Sequence, residues 1–283
     1  MLEFLIFIGL LGISISIIQD FKSREIANWL NFSILIFALA FRAFYGVFFN
    51  NYMFFIFGIA GVGMTFILGH ILYYGRLFAG GDAKLLISLG AILPLDDNFY
   101  DNFLIIVIFI IALLLGGAIY SLIYSIILSI KNKKSFVKNY KKLYIENIDY
   151  FYGILAFSSV FIIYSLVSYD FIFLIFPLFA IGLFFLYIYT KSVEQSCMIV
   201  EKKYEELSPG DWIIDEIKIN GIMIKPNWEG LTKNEVDLLK KHRKKIRIKD
   251  GIPFTPAFLI AFLVVTYIYY FLNGDWGFWK FNF

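Results

Sequence analysis

Residues 77–95 read LFAGGDAKLLISLGAILPL, a helix-length apolar run with Gly80, Gly81, Asp82 and Lys84 inside or beside it. A carboxylate in such a run is costly unless it is protonated, paired or turned toward a wet cavity. Asp82 therefore needs a partner, and the chain offers Asp20 at the end of a second apolar run, MLEFLIFIGLLGISISIIQD. That first run has neither a basic start nor a small-residue cleavage site, so it reads as a retained helix and not as a secretory signal.

Similar runs recur along the chain. A membrane helix needs roughly 20 apolar residues, and stretches near that length cover residues 2–19, 28–49, 53–74, 77–95, 103–130, 151–169, 171–190 and 256–272. With 60% of its 283 residues hydrophobic, the chain is excluded from the soluble class. The fold expected is an all-α polytopic membrane protein of six to eight transmembrane helices, with a small α+β cytoplasmic insert before the last helix. The range reflects two ambiguities. The run at 77–95 shortens once its glycines are read as loop, and only Tyr169 and Asp170 mark the join between the sixth run and the seventh. The expected domains are a transmembrane core at 1–191, a soluble insert at 192–255, and a final transmembrane helix with a short external tail at 256–283.

Charge fixes the expected orientation. FKSRE, the segment KNKKSFVKNYKKLY with Lys131, Lys133, Lys134, Lys138, Lys141 and Lys142, and residues 191–249 hold nearly all the Lys and Arg. The positive-inside rule places these segments in the cytoplasm. The opposite loops carry Asp96, Asp97, Asp101, Asp170 and Asp275, with Lys280 the one basic residue clearly on that side. On an eight-span path the first helix ends inside at Asp20 and the fourth opens from the inside at Asp82. The two are 62 positions apart (82 − 20), and antiparallel crossings can bring them together.

The third run, with Gly58, Gly61, Gly63 and Gly69, and the pair Gly116 and Gly117 suit close helix approach. In the insert, DWIIDEIKING and GIMIKPNW read as short strands joined at Asn220-Gly221. Thr232 and Glu235 form a capping box opening the helix TKNEVDLLKKHRKK, and IRIKD reads as a further strand.

Taken singly, Gly80-Gly81-Asp82 fits an ordinary helix N-cap, and Asp20 is a charge ending a membrane helix. On one membrane face they offer a dyad in which one carboxyl keeps a proton while the other is ionised. Such a pair activates water for amide hydrolysis without a covalent acyl intermediate. The two glycines would let backbone approach a substrate closely.

QDFKSREIAN at 19–28 and AGGDAKLL at 79–86 resemble the two aspartate motifs of the type IV prepilin and archaeal preflagellin peptidases, the GxGD aspartic membrane proteases, and GIPFTPAFLIA at 251–261 resembles the start of that family's closing helix. The resemblance implies Asp20 and Asp82 as the catalytic pair, with Ala79, Gly80, Gly81 and Lys84 in the active-site loop. It implies as substrates pilin-like or archaellin precursors, with a short basic leader ahead of a hydrophobic helix, cut at the cytoplasmic membrane face. Ala79 departs from the motif, which has glycine there, and altered loop freedom and substrate choice are expected without loss of activity. The family's bacterial branch adds a four-cysteine zinc motif, which a chain with Cys197 alone does not carry.

No cofactor and no metal are expected. His70 reads as an interhelical hydrogen-bonding group, and His242 as part of a basic solvated helix. KKHRKKIRIK at 240–249 reads as attracted to anionic lipid of the bilayer and not to nucleic acid. Lys84 is placed to bias the dyad, touch substrate or reach toward headgroups. Arg42, within the second run, calls for an interior partner or for snorkelling outward. Asp211, Asp215 and Glu216 are candidates to meet a basic leader. The sequence leaves two rivals to the leader-peptidase reading. One is a proton-coupled transporter titrating Asp20 and Asp82, the other an intramembrane protease of the presenilin type, whose Pro-Ala-Leu motif is absent although Thr255-Pro256-Ala257-Phe258 lies near it.

Overall fold

The computed structural model describes residues 2–219, 222–241 and 245–271. The chain opens with α1 (Leu2–Ser23), α2 (Asn28–Phe48), α3 (Tyr52–Tyr74), α4 (Gly80–Leu89) and α5 (Phe99–Lys131). α6 (Lys133–Glu146), α7 (Ile148–Ser168), a 3-10 turn at Phe171–Leu174 and α8 (Ile175–Cys197) follow. A short mixed segment holds β1 (Ile199–Lys203), β2 (Trp212–Ile213), β3 (Ile217–Ile219), β4 (Ile222–Ile224), α9 (Lys233–Lys240) and β5 (Lys245–Lys249), after which α10 (Thr255–Phe271) closes the described chain. Among the described residues, six helices are long and apolar enough to cross a bilayer: α1, α2, α3, α5, α7, and α8 with its preceding turn. The protein is an all-α polytopic membrane protein with a small sheet region before its last helix.

The residues group into two compact units, Met1–Ile123 with Ile252–Phe283, and Tyr124–Gly251. In the first, buried faces of α1, α2, α4, α5 and α10 share one apolar core that includes Leu5, Ile13, Ile34, Leu85, Leu89, Phe109, Phe258 and Phe262. Glycines on α3 admit α4 to this bundle. A Cβ on Gly61 would run into the carbonyl oxygen of Gly90, and one on Gly69 would lie 3.2 Å from Ile87 and 3.3 Å from the Ala83 carbonyl. Gly63 meets nothing within 4 Å, so it belongs to the outer face.

The run at 77–95 is not a continuous span. Its helix, α4, is ten residues long and is followed by a tight turn in which Gly90 N–H donates to Leu86 and Ile87 and Ile92 N–H donates to Leu89. The stretch still travels the length of α2. Gly81 lies beside Ile26, just before α2 begins, while the carbonyls of Ala91, Ile92 and Pro94 meet Arg42 near the other end of α2. It is a short helix followed by an irregular stretch, and its apolar residues face protein: Leu85, Leu86, Leu89, Ala91, Ile92 and Leu93 are fully buried. Irregular backbone is tolerated at membrane depth only where it is enclosed in this way. The last apolar run is α10, whose 17 described residues are short of the other spans.

In the second unit, the lysine-rich segment after α5 is helical and not a loop. Leu143 of α6 is buried against Phe184 and Ile188 of α8, with Tyr140 and Tyr144 packed alongside. Its apolar residues at 136, 140, 143 and 144 recur at helical spacing, which the surrounding lysines conceal in a simple charge count. The strands form a three-stranded antiparallel sheet in the order β1-β5-β2 and a separate β3-β4 pair. The capping box forms, with Thr232 N–H donating to Glu235 Oε2 at 2.8 Å and Glu235 N–H to Thr232 Oγ1 at 3.4 Å. β1 is an element that the sequence reading lacked. The expected turn at Asn220-Gly221, His242, Asp275 and Lys280 lie outside the described residues.

Candidate active site

Five helix ends meet at one end of the first unit. α1 closes there when Arg24 takes a left-handed conformation, φ 59°, and donates its N–H to the Asp20 carbonyl at 3.0 Å. The Gln19 side chain accepts from Ala27 N–H at 2.9 Å and so sets the turn into α2. α3 closes at Gly75 and Arg76, after which the Leu77 and Phe78 N–H groups both donate to the Leu72 carbonyl and turn the chain into α4. The rings of Phe78 and Phe254 then pack with centroids 5.5 Å apart, bringing the start of α10 to the start of α4.

Asp20, four residues from the start of the α1–α2 connection, is buried. Its Oδ2 accepts from the Thr255 backbone N–H at 3.1 Å and from the Thr255 hydroxyl at 2.9 Å. This contact bridges 235 positions of sequence and joins the end of α1 to the first residue of α10. Asp82 is the third residue of α4 and is also buried. Its Oδ2 accepts from the Ala79 N–H at 3.3 Å, the carboxylate half of a capping box, in which a side chain at the third helical position satisfies the N-cap amide. Through these contacts the two carboxylates sit at the same end of the first unit, one near the end of α1 and the other at the start of α4. Among the described residues, Oδ1 of each has no protein hydrogen-bond partner, so the structural bonds leave one oxygen per carboxyl for chemistry.

Ala79 has φ −72° and ψ 161°, extended backbone that any L-residue adopts, so glycine is not needed there. Gly80 and Gly81 are the first two helical residues. A Cβ on either would find its nearest neighbour at ordinary contact distance, Tyr73 at 3.7 Å and Ile26 at 3.5 Å. Their conformational freedom is therefore not required by this backbone. Lys84 Nζ donates to Asn28 Oδ1 at 2.8 Å and bonds to neither carboxylate, tying α4 to the start of α2.

Thr255 is the site residue that sequence reasoning missed. The motif around it was visible, and Thr255-Pro256 at a helix start is a readable signal, but nothing in it identifies Asp20 as the acceptor. Arg42 has the expected interior partner, though that partner is a set of backbone carbonyls and not a carboxylate. Asp211 and Asp215, considered for a basic leader, are engaged within the sheet region, with Lys202 at 3.1 Å and Arg247 at 2.7 Å. Among the described residues no cluster of His, Cys, Asp and Glu could hold a metal ion.

Residues 5–127, the part of the chain that carries both aspartates, match the type IV leader peptidase family. The preflagellin peptidase of Methanococcus maripaludis is 36% identical over 94 residues, 33% of this chain and 40% of that protein. Those of Methanococcus voltae and Methanocaldococcus jannaschii are 36% and 33% identical over 87 residues, in each case 31% of this chain and 37% of the relative. The matches thus span about two fifths of the length of these curated relatives. No solved structure matches the chain.

Proposed function

We propose, with residues 5–127 assigned to the type IV leader peptidase family as the premise, that this protein is a membrane aspartic endopeptidase. It removes the short basic leader from archaellin or pilin-like precursors at the cytoplasmic face of the membrane, using Asp20 and Asp82. The observation that carries the reading is the convergence, at one end of the first unit, of two buried carboxylates that the sequence holds 62 positions apart (82 − 20). The printed names of the three relatives point to preflagellin as the substrate type. The crowding of Lys and Arg into the segments on the Asp20 side supports the cytoplasmic face.

In this reading the pair works with one proton between two carboxyls, because like charges at close range are not both ionised without cost. The ionised member takes a proton from water as the water oxygen attacks the scissile carbonyl carbon. The protonated member donates to the carbonyl oxygen, which carries the developing charge. The tetrahedral intermediate then collapses, the C–N bond breaks, and a dyad proton passes to the leaving amine. Thr255 orients Asp20, the Ala79 amide orients Asp82, and Gly80 and Gly81 leave room for the extended substrate backbone. Lys84, through Asn28, keeps α4 against α2.

The test is to incubate membranes containing the protein with tagged archaellin and pilin-like precursors and compare wild type with Asp20→Ala and Asp82→Ala. Cleavage by wild type and its loss in both variants is expected. Unchanged processing by both variants removes the dyad, and the relative rates on the two precursors decide the substrate type.

A further inference from the structure

An arginine within an apolar span must be solvated by something, and Arg42 is fully buried. Its Nε donates to the Ala91 carbonyl at 2.7 Å and its Nη1 to the Phe54 carbonyl at 2.8 Å. Nη2 donates to the Ile92 carbonyl at 3.2 Å and also to that of Pro94. The Phe54 ring lies 4.4 Å from Cζ. Three of the four acceptors belong to the irregular stretch after α4, where regular helical bonding has ended. Buried carbonyls in such a stretch have no water to turn to, and each left unmet is costly in a protein interior. A planar fork with five N–H donors can serve acceptors converging from two chain segments, which one amide or hydroxyl cannot. Gly58 makes room for the arginine stem, since a Cβ there would strike Arg42 Cδ.

The clamp holds the far end of the helix that carries Asp82. Asp82 and Ala91 are nine positions apart (91 − 82), so at 1.5 Å per residue the guanidinium acts about 14 Å along the axis from the carboxylate. α4 is short, and a slip of one residue would rotate its side chains by about 100° and carry Asp82 off the face that meets Asp20. The near-end tether, Lys84 to Asn28, is exposed, which leaves the buried Arg42 contacts as the firmer restraint.

We propose that Arg42 is a positioning residue for the dyad: it locks the axial and rotational register of α4 through the Ala91, Ile92 and Pro94 carbonyls, and thereby holds Asp82 against Asp20. The proposal rests on the dyad reading above for its kinetic arm. Its structural arm stands without it.

The kinetic arm compares Arg42→Lys and Arg42→Met with wild type on a precursor substrate. Arg42→Met should lower kcat by about a hundredfold and Arg42→Lys by about tenfold, with KM within about twofold, since substrate contacts are untouched while the reacting geometry is disturbed. The structural arm uses protein carrying Asp20→Cys, Asp82→Cys and Cys197→Ser and measures the rate of cross-linking by a short bismaleimide. Adding Arg42→Met should slow that rate about fivefold or more, as the two positions lose their fixed approach. Ile13→Ala, a buried change in α1, serves as the packing control and should leave the cross-linking rate near that of the parent.

Unchanged cross-linking in Arg42→Met, or cross-linking slowed equally by Ile13→Ala, overturns the proposal. A loss confined to KM overturns it as well. If Arg42→Met does not accumulate, Arg42→Lys is read by the same criteria. If the wild type cleaves no precursor, the enzyme reading has failed and the cross-linking arm alone decides the role of Arg42.

Discussion

Thr255→Val removes one hydroxyl from the site and little else. The Thr255 side chain is fully buried, and its Oγ1 donates to Asp20 Oδ2 at 2.9 Å. Valine keeps the β-branch and nearly the same volume, and the backbone N–H that also donates to Asp20 at 3.1 Å remains. A hydrogen bond to a charged group contributes about 1.5–3 kcal/mol. At about 1.4 kcal/mol per tenfold in rate, its loss from a carboxylate needed in fixed orientation should slow cleavage by roughly ten- to a hundredfold. Thr255→Ser keeps the donor and should recover most of the rate. The assay is the initial rate of leader removal from a tagged precursor in detergent-solubilised membranes, with thermal melting followed in parallel. Refutation takes a simple form: Thr255→Val processing at the wild-type rate, or Thr255→Ser failing as badly as Thr255→Val, would show that the hydroxyl does not orient Asp20.

Further outcomes follow from the same geometry. Gly61→Ala drives a Cβ into the Gly90 carbonyl, which is backbone and cannot swing aside, so a loss of about 1–3 kcal/mol in stability is expected; Gly63→Ala, with open space around its Cβ, should melt at or above the wild-type temperature. Ala79→Gly, which restores the family's usual residue where alanine already fits the backbone, should leave the cleavage rate within about twofold. Asp215→Asn breaks a half-exposed pair with Arg247 in the sheet region and should leave precursor processing unchanged, whereas a clear rise in KM would return that aspartate to leader recognition.

Much of the bundle could be read from hydropathy because the spans at α1, α2, α3 and α5 are apolar along most of their length. Hydropathy misled at residues 77–95 for a definite reason. Leu85, Leu86, Leu89, Ile92 and Leu93 are apolar because protein surrounds them, and a transfer scale does not distinguish that environment from lipid. Gly90 and Pro94 stand in the irregular part of the run, but the residue that makes the break tolerable, Arg42, lies about 50 positions earlier. The expectation that Asp20 and Asp82 share one face rested on loop charge and parity, since both are local to helix ends. Thr255 could not, because its contact with Asp20 depends on how α10 returns to α1 after the whole second unit has intervened. In the same way, the stacking of α6 on α8 rests on Phe184 and Ile188, which the charge of the lysine segment gives no means of finding.

The most direct test of the dyad is the cleavage rate of an archaellin precursor by Asp20→Asn, Asp82→Asn and the double variant, all checked for equal membrane levels. Asparagine keeps the shape of each side chain and removes its capacity to exchange a proton. If the two carboxyls act as one unit, each single variant should lose at least about a thousandfold in kcat, and the double variant should be no slower than the worse single. A single variant that retains appreciable cleavage, or losses that multiply in the double, would contradict a shared-proton dyad at Asp20 and Asp82.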